Sequence, residues 1–131
     1  MSDIGFRGFS LAAIAMALVC ALNSSNVVAQ TNASGNSTGK DLFDKRCAGC
    51  HSLDNDKEGP RLRGVYGRAA AAVATFSYSE PMKKARIAWN DETLDLWLTD
   101  PDKMVPGTDM EFHVAKADER KAIIDWLKTQ A

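Results

Sequence analysis

Cys47-Ala48-Gly49-Cys50-His51 places two thiols and an imidazole within one short segment. Three kinds of chemistry use such groups. A C-x-x-C pair exchanges disulfides when one thiol has a lowered pKa. Cysteine and histidine hold zinc, in structural sites with a closed shell of four ligands. Two cysteines followed directly by a histidine form the attachment signature of a c-type haem. In that chemistry the thiols add across the two vinyl groups of one porphyrin. The adjacent imidazole then ligates the iron. Disulfide exchange expects the pair to open a helix after a strand, whereas here it closes an expected helix. The zinc reading finds three ligands, with His113 the only further histidine. A plain disulfide leaves His51 without a task. The haem reading uses all three residues.

An iron held by His51 on one side needs a ligand on the other. The candidates are His113, Met82, Met104 and Met110. Pro106-Gly107-Thr108-Asp109-Met110 offers a tight turn that can present a thioether, although a lone methionine is more often core filler. On residue chemistry alone Met110 stands only slightly ahead of His113. The choice matters, because a Met/His pair raises the reduction potential relative to a bis-His pair.

Three helices would position these groups. The first runs from about Lys40 to Cys47, with Leu42 and Phe43 as its apolar face. The second follows Asn90, a good N-cap. Leu94, Trp97 and Leu98 give it an apolar stripe, and Pro101 stops it. The third runs from about Ala117 to Thr129 and buries Ile123, Trp126 and Leu127. Residues 52–88 and 101–116 read as irregular apart from short helical turns. That much loop in a small domain calls for a staple. A large apolar cofactor at the centre supplies one, and the expected class is all-α.

The 131 residues argue for one domain. Residues 1–29 read as a signal peptide. Its apolar run, Phe9 to Leu22, is 14 residues long, short of the roughly 20 a spanning helix needs. Cleavage after Ala29 removes Cys20, so Cys47 and Cys50 are the cysteines that remain. The competing reading keeps the N-terminus as an anchor. Residues 30–38, rich in Ser, Asn and Gly, form a flexible leader, and 39–131 form the domain. The formal net charge of −1 gives no basic excess of the kind nucleic-acid binding favours. Export and the attachment motif support each other, and the expected compartment is the periplasm.

From about Gly39 to Lys128 the chain resembles the class I cytochromes c, the soluble mitochondrial and bacterial type. The resemblance rests on ordered motifs. Gly39-Lys40-Asp41-Leu42-Phe43 precedes the attachment motif, and Gly59-Pro60-Arg61-Leu62-Arg63-Gly64-Val65-Tyr66-Gly67-Arg68 follows it. Phe76-Ser77-Tyr78, Ile87-Ala88-Trp89-Asn90 and the Met110 loop complete the set. The resemblance implies a small cytochrome c fold, three main helices and long loops around one covalent haem c. It implies Met110 as the distal ligand. It also implies that the Pro60 carbonyl accepts the His51 N–H, and that Tyr78, Trp89 and Thr108 donate to the propionates. Arg68 supplies a nearby positive charge. Gly39 and Phe43 match a contact with the last helix, where Trp126 and Leu127 answer. Phe112 matches the aromatic beside the haem edge.

The implied function is one-electron transfer between exported or membrane redox complexes, by a monomer that is not an enzyme. A cytochrome bc complex and a terminal oxidase or reaction centre are the implied partners. The alternatives are a tethered or complex-bound electron-transfer subunit and a peroxidase-like enzyme, against which Met110 argues. The chain also departs from the pattern. Residues 52–58 form a shorter loop than in mitochondrial members. Ala69–Ala74 replaces a more polar, Gly-containing stretch. Trp97 stands where a tyrosine often bonds the methionine sulfur. Asp109 and Glu111 flank Met110 and dilute the expected basic ring, leaving Lys83, Lys84, Arg86 and Lys103 as the candidate positive patch.

Overall fold

The computed structural model describes residues 38–131. The expected signal peptide and all of the leader except Thr38 lie outside the described residues. Thr38 opens the first helix, α1, Gly39–Arg46. Its hydroxyl accepts the Asp41 N–H, and the Asp41 carboxylate accepts the Thr38 N–H. This capping box satisfies donors that a helix start otherwise leaves orphaned. Four more helices follow: α2, Glu80–Lys84; α3, Asp91–Thr99; α4, Pro101–Met104; and α5, Ala117–Lys128. Among the described residues the only β-pairing is an isolated bridge between Ala69 and Ala88.

The three long helices match the sequence expectations to within a residue or so at each end. Asn90 caps α3 by accepting the Thr93 N–H at 2.9 Å, and the Thr93 hydroxyl accepts the Asn90 N–H in return. Pro101 ends α3 as expected, and it also starts α4. Asp100 is extended at the joint, and its side chain accepts the Lys103 N–H. A proline in the first turn lacks an N–H that would be unpaired there anyway. The same chemistry places Pro81 in the first turn of α2. These two short helices were foreseen only as helical turns.

α5 packs against both α1 and α3. The α1 crossing depends on Gly39. A Cβ there would lie 2.2 Å from the Ala122 carbonyl oxygen and 2.5 Å from the Trp126 Cβ. Four residues on, the Phe43 and Trp126 rings meet at 4.7 Å between centroids. Arg46 closes the crossing with an ion pair to Glu119 at 2.6 Å. On the α3 side, the mostly buried Arg120 reaches Asp95 at 2.7 Å and the carbonyls of Val114 and Ala115 at 3.0 Å each. Val114 and Ile123 are the most fully buried side chains. No helix among the described residues is long and apolar enough to cross a membrane.

Candidate haem-binding site

α1, α3, α5 and the loops between them enclose a cavity of about 460 Å³. Its walls are largely apolar. Leu94, Trp97 and Leu98 come from α3, and Ile123 and Leu127 from α5. Cys47, Cys50 and His51 line one side. The turn that presents them follows directly from α1. The Cys47 and Ala48 N–H groups both donate to the Phe43 carbonyl, and the His51 N–H donates to the Cys47 carbonyl. Both thiols are free.

The environment of the thiols bears on the competing chemistries. Burial pushes the Cys47 thiol up to about 11. Cys50 is also raised, first by its hydrogen bond to the Glu58 carboxylate at 3.4 Å. Disulfide exchange requires the opposite, a lowered thiol pKa. No cluster of three or more His, Cys, Asp or Glu able to hold a metal ion forms among the described residues, which disfavours the zinc shell.

His51 is half-buried, and burial holds its imidazole below the usual range. Its Nδ1 lies 2.7 Å from the Pro60 carbonyl oxygen. A carbonyl only accepts, so Nδ1 carries the proton and Nε2 keeps its lone pair free for a metal. The segment that carries Pro60 must pass close to the ring. A Cβ on Gly59 would sit 2.2 Å from His51 Cε1, so only glycine fits. The Gly59 N–H donates to the Cys50 carbonyl at 2.8 Å. Lys57 fastens the same turn, donating to the carbonyls of Ala48 at 2.6 Å and Gly49 at 3.0 Å.

Met110 also lines the cavity, and its sulfur accepts the Trp97 indole N–H at 3.1 Å. The indole therefore does stand in for the tyrosine hydroxyl. Of the other distal candidates Met82 lines the cavity, whereas Met104 and the exposed His113 do not.

The remaining expected residues, Arg68, Tyr78, Trp89 and Thr108, line the same cavity. Backbone pairing holds two of them. Trp89 N–H donates to the Arg68 carbonyl, and Gly67 N–H to the Trp89 carbonyl. The Arg68 guanidinium donates to the carbonyls of Arg61 and Arg63 at 2.9 and 3.0 Å. Trp89 stacks obliquely on Trp97 at 5.4 Å. One residue escaped the sequence reading. The Ser79 hydroxyl is buried on the cavity wall and has no partner. Its position directly after Tyr78 was the available signal. An unpaired buried hydroxyl is costly, and an acid group of a bound ligand would satisfy it. Ala71, also on the wall, adopts a φ of 55°.

The donor set fits a covalently attached haem. Two thiols and an imidazole with a free Nε2 adjoin an apolar chamber, and unpaired or cationic groups stand ready for carboxylates. A small all-α haem protein is the class these features define. The comparisons agree. The family model described as Cytochrome c matches residues 37–131. Cytochrome c of Gibberella zeae is 43% identical over 94 residues, covering 69% of this chain and 89% of that one. Cytochrome c2 iso-2 of Magnetospirillum molischianum is 42% identical over 86 residues, covering 63% and 89%. The solved structure of cytochrome cH from Methylobacterium extorquens matches with a TM-score of 0.66 and 34% identity, covering 70% and 94%. The chain belongs to the cytochrome c family. Membership assigns it one covalent haem c and a part in haem-based electron transfer.

Proposed function

We propose that the chain is an exported one-electron carrier whose haem is joined through Cys47 and Cys50, with the iron held by His51 Nε2 and Met110 Sδ. The observation that carries this reading is the convergence of all nine expected site residues on one cavity. Met110 is preferred as distal ligand because it lines the cavity with its sulfur already oriented by Trp97. His113 is exposed and outside the lining.

Bound haem supplies a one-electron ferrous–ferric couple. The chain's residues do the rest. The Pro60 carbonyl accepts a hydrogen bond from His51 Nδ1–H, which orients the ring and raises its basicity. Trp97 draws electron density from the Met110 sulfur, which disfavours the ferric state. Leu94, Leu98 and Ile123 keep water from the cavity. Tyr78, Ser79, Trp89 and Thr108 line the cavity where they would donate to the haem carboxylates, and Arg68 would offset their charge. If His51 and Met110 both hold the iron, no open position would remain for a substrate, which supports a carrier over an enzyme. Cleavage near Ala29 frees the domain in the periplasm. There it passes electrons between membrane redox complexes, such as a cytochrome bc complex and a terminal oxidase or reaction centre.

Absorption spectroscopy of the ferric protein tests the ligation. A sulfur-to-iron charge-transfer band should be present, vanish in Met110→Ala and persist in His113→Ala. Absence of the band in the unaltered protein, with a bis-His spectrum lost in His113→Ala, would overturn the assignment. Replacing both Cys47 and Cys50 by Ala should abolish haem retention under denaturing conditions.

A further inference from the structure

Lys57 and Glu58 are neighbours of opposite charge, and both reach the turn that carries the attachment motif. The Lys57 Nζ donates to the carbonyls of Ala48 at 2.6 Å and Gly49 at 3.0 Å. No backbone N–H among the described residues donates to either carbonyl. A chain leaving a helix orphans such acceptors, and they carry partial negative charge. Lys57 answers them with a full positive charge. Its position is fixed by the backbone, because the Lys57 N–H donates to the Gly59 carbonyl at 2.9 Å and the Gly59 N–H to the Cys50 carbonyl at 2.8 Å. Glu58 lines the cavity, and its carboxylate accepts the Cys50 thiol at 3.4 Å. Both side chains are exposed, and neither forms an ion pair among the described residues. Thioether formation removes the thiol hydrogen that Glu58 accepts, which leaves an unneutralised carboxylate at the cavity edge.

We propose that these two residues set the reduction potential of the haem from the attachment side, with Lys57 as a positioning residue. Ala48 and Gly49 are the residues between the two attachment cysteines, so the ammonium they hold stays in register with the haem. Oxidation adds one positive charge at the iron. A cation locked behind the turn that ends in His51 opposes that charge, and a carboxylate at the cavity edge favours it. Lys57 therefore raises the potential and Glu58 lowers it. The inference rests on the carrier reading, because it takes the haem as joined through Cys47 and Cys50 with His51 on the iron.

The midpoint potential of the holoprotein, read by potentiometric titration with absorption detection, tests this. The titrations run at an ionic strength of about 0.01 M, where the screening length is about 30 Å. Lys57→Met should shift the equilibrium toward the ferric state by about threefold or more, a fall of about 30 mV for a one-electron couple. Glu58→Gln should shift it toward the ferrous state. Lys57→Arg keeps the charge and the donors, and should stay near the unaltered value. Lys84→Met removes an exposed cation from a separate shallow depression, and should move the potential far less. In about 1 M salt the screening length is about 3 Å, and the Lys57→Met gap should shrink by about half or more. A gap caused by a loosened turn would not respond to salt. If Lys57→Met fails to hold haem, Lys57→Gln is read against the same outcomes. An unmoved potential in the neutral Lys57 variant, a fall in Glu58→Gln, a gap indifferent to salt, or an equal shift in Lys84→Met overturns the proposal. If the unaltered holoprotein shows no one-electron transition, it is the carrier reading that fails.

Discussion

Gly39→Ala separates packing from helix propensity at the contact that holds the fold's two ends together. Alanine is the better helix former by up to about 1 kcal/mol in a helix interior, and less in a first turn. Against that gain stands the geometry. The new Cβ would lie 2.2 Å from the Ala122 carbonyl oxygen and 2.5 Å from the Trp126 Cβ. Both neighbours belong to helix α5, whose backbone cannot step aside alone. α1 must move about 1 Å to restore ordinary contact. That movement loosens the Phe43–Trp126 pair and the Arg46–Glu119 bond. Overpacking of this kind costs about 1–3 kcal/mol, so packing should win by about 1–2 kcal/mol. For a domain of this size the melting temperature should fall by roughly 5–15 °C. The assay is reversible thermal unfolding of the holoprotein followed by circular dichroism. Gly49→Ala is the control, because a Cβ at Gly49 meets nothing within 4 Å. Equal melting temperatures for Gly39→Ala and the unaltered protein would refute the argument that the crossing requires glycine.

Four further outcomes follow from the site and its frame. Trp97→Phe removes the donor to the Met110 sulfur, and the midpoint potential should fall by on the order of tens of millivolts in a potentiometric titration; an unchanged potential would show that the bond does not tune the iron. Gly59→Ala drives a Cβ into the His51 ring, and should appear as a high-spin component in the ferric spectrum. Asp56 is held below its ordinary value of 3.8, first by the Thr75 hydroxyl and then by the Arg61 N–H. Its contribution is therefore present above the unfolded value and lost as pH falls through the lower folded one. Asp56→Asn should thus flatten the loss of stability on acidification, as measured by denaturant titrations at a series of pH values. Ala71→Gly relieves a left-handed alanine, which costs roughly 1–2 kcal/mol, at an entropic expense of about 0.4–1 kcal/mol in the unfolded chain. The melting temperature should rise by a few degrees, and a fall would contradict the strain.

The long helices were legible because their signals are local. Asn90 before Asp91 and Glu92, and Pro101 after Asp100, punctuate α3 without reference to anything distant. The attachment motif is likewise local, with Cys47, Cys50 and His51 in a single turn. The wall of the cavity is not. Arg68 and Trp89 are 21 positions apart and meet through backbone pairing that no periodicity announces. The resemblance supplied them; residue patterns did not. Ser79 was missed because its one signal, the place next to Tyr78, gains meaning only once its hydroxyl is seen buried without a partner. Of the candidate positive patch, Lys83, Lys84, Arg86 and Lys103, Lys84 and Arg86 border a shallow depression separate from the cavity, and Lys83 is paired with Glu80, which sequence proximity alone does not reveal.

The cavity shares its walls with the core. Leu94, Trp97, Leu98, Ile123 and Leu127 belong to both. A chain that never acquired haem would have to fold around 460 Å³ of unfilled space. At about 24 cal/mol per Å³ that costs on the order of 11 kcal/mol. This is comparable to the whole stability of an ordinary domain, about 5–15 kcal/mol. Loading should therefore contribute a large share of the folding free energy of this protein. A chain that misses its cofactor does not linger as a folded, inactive competitor for the partner's docking site. It stays open to proteases, so unloaded copies are cleared without a dedicated inspector.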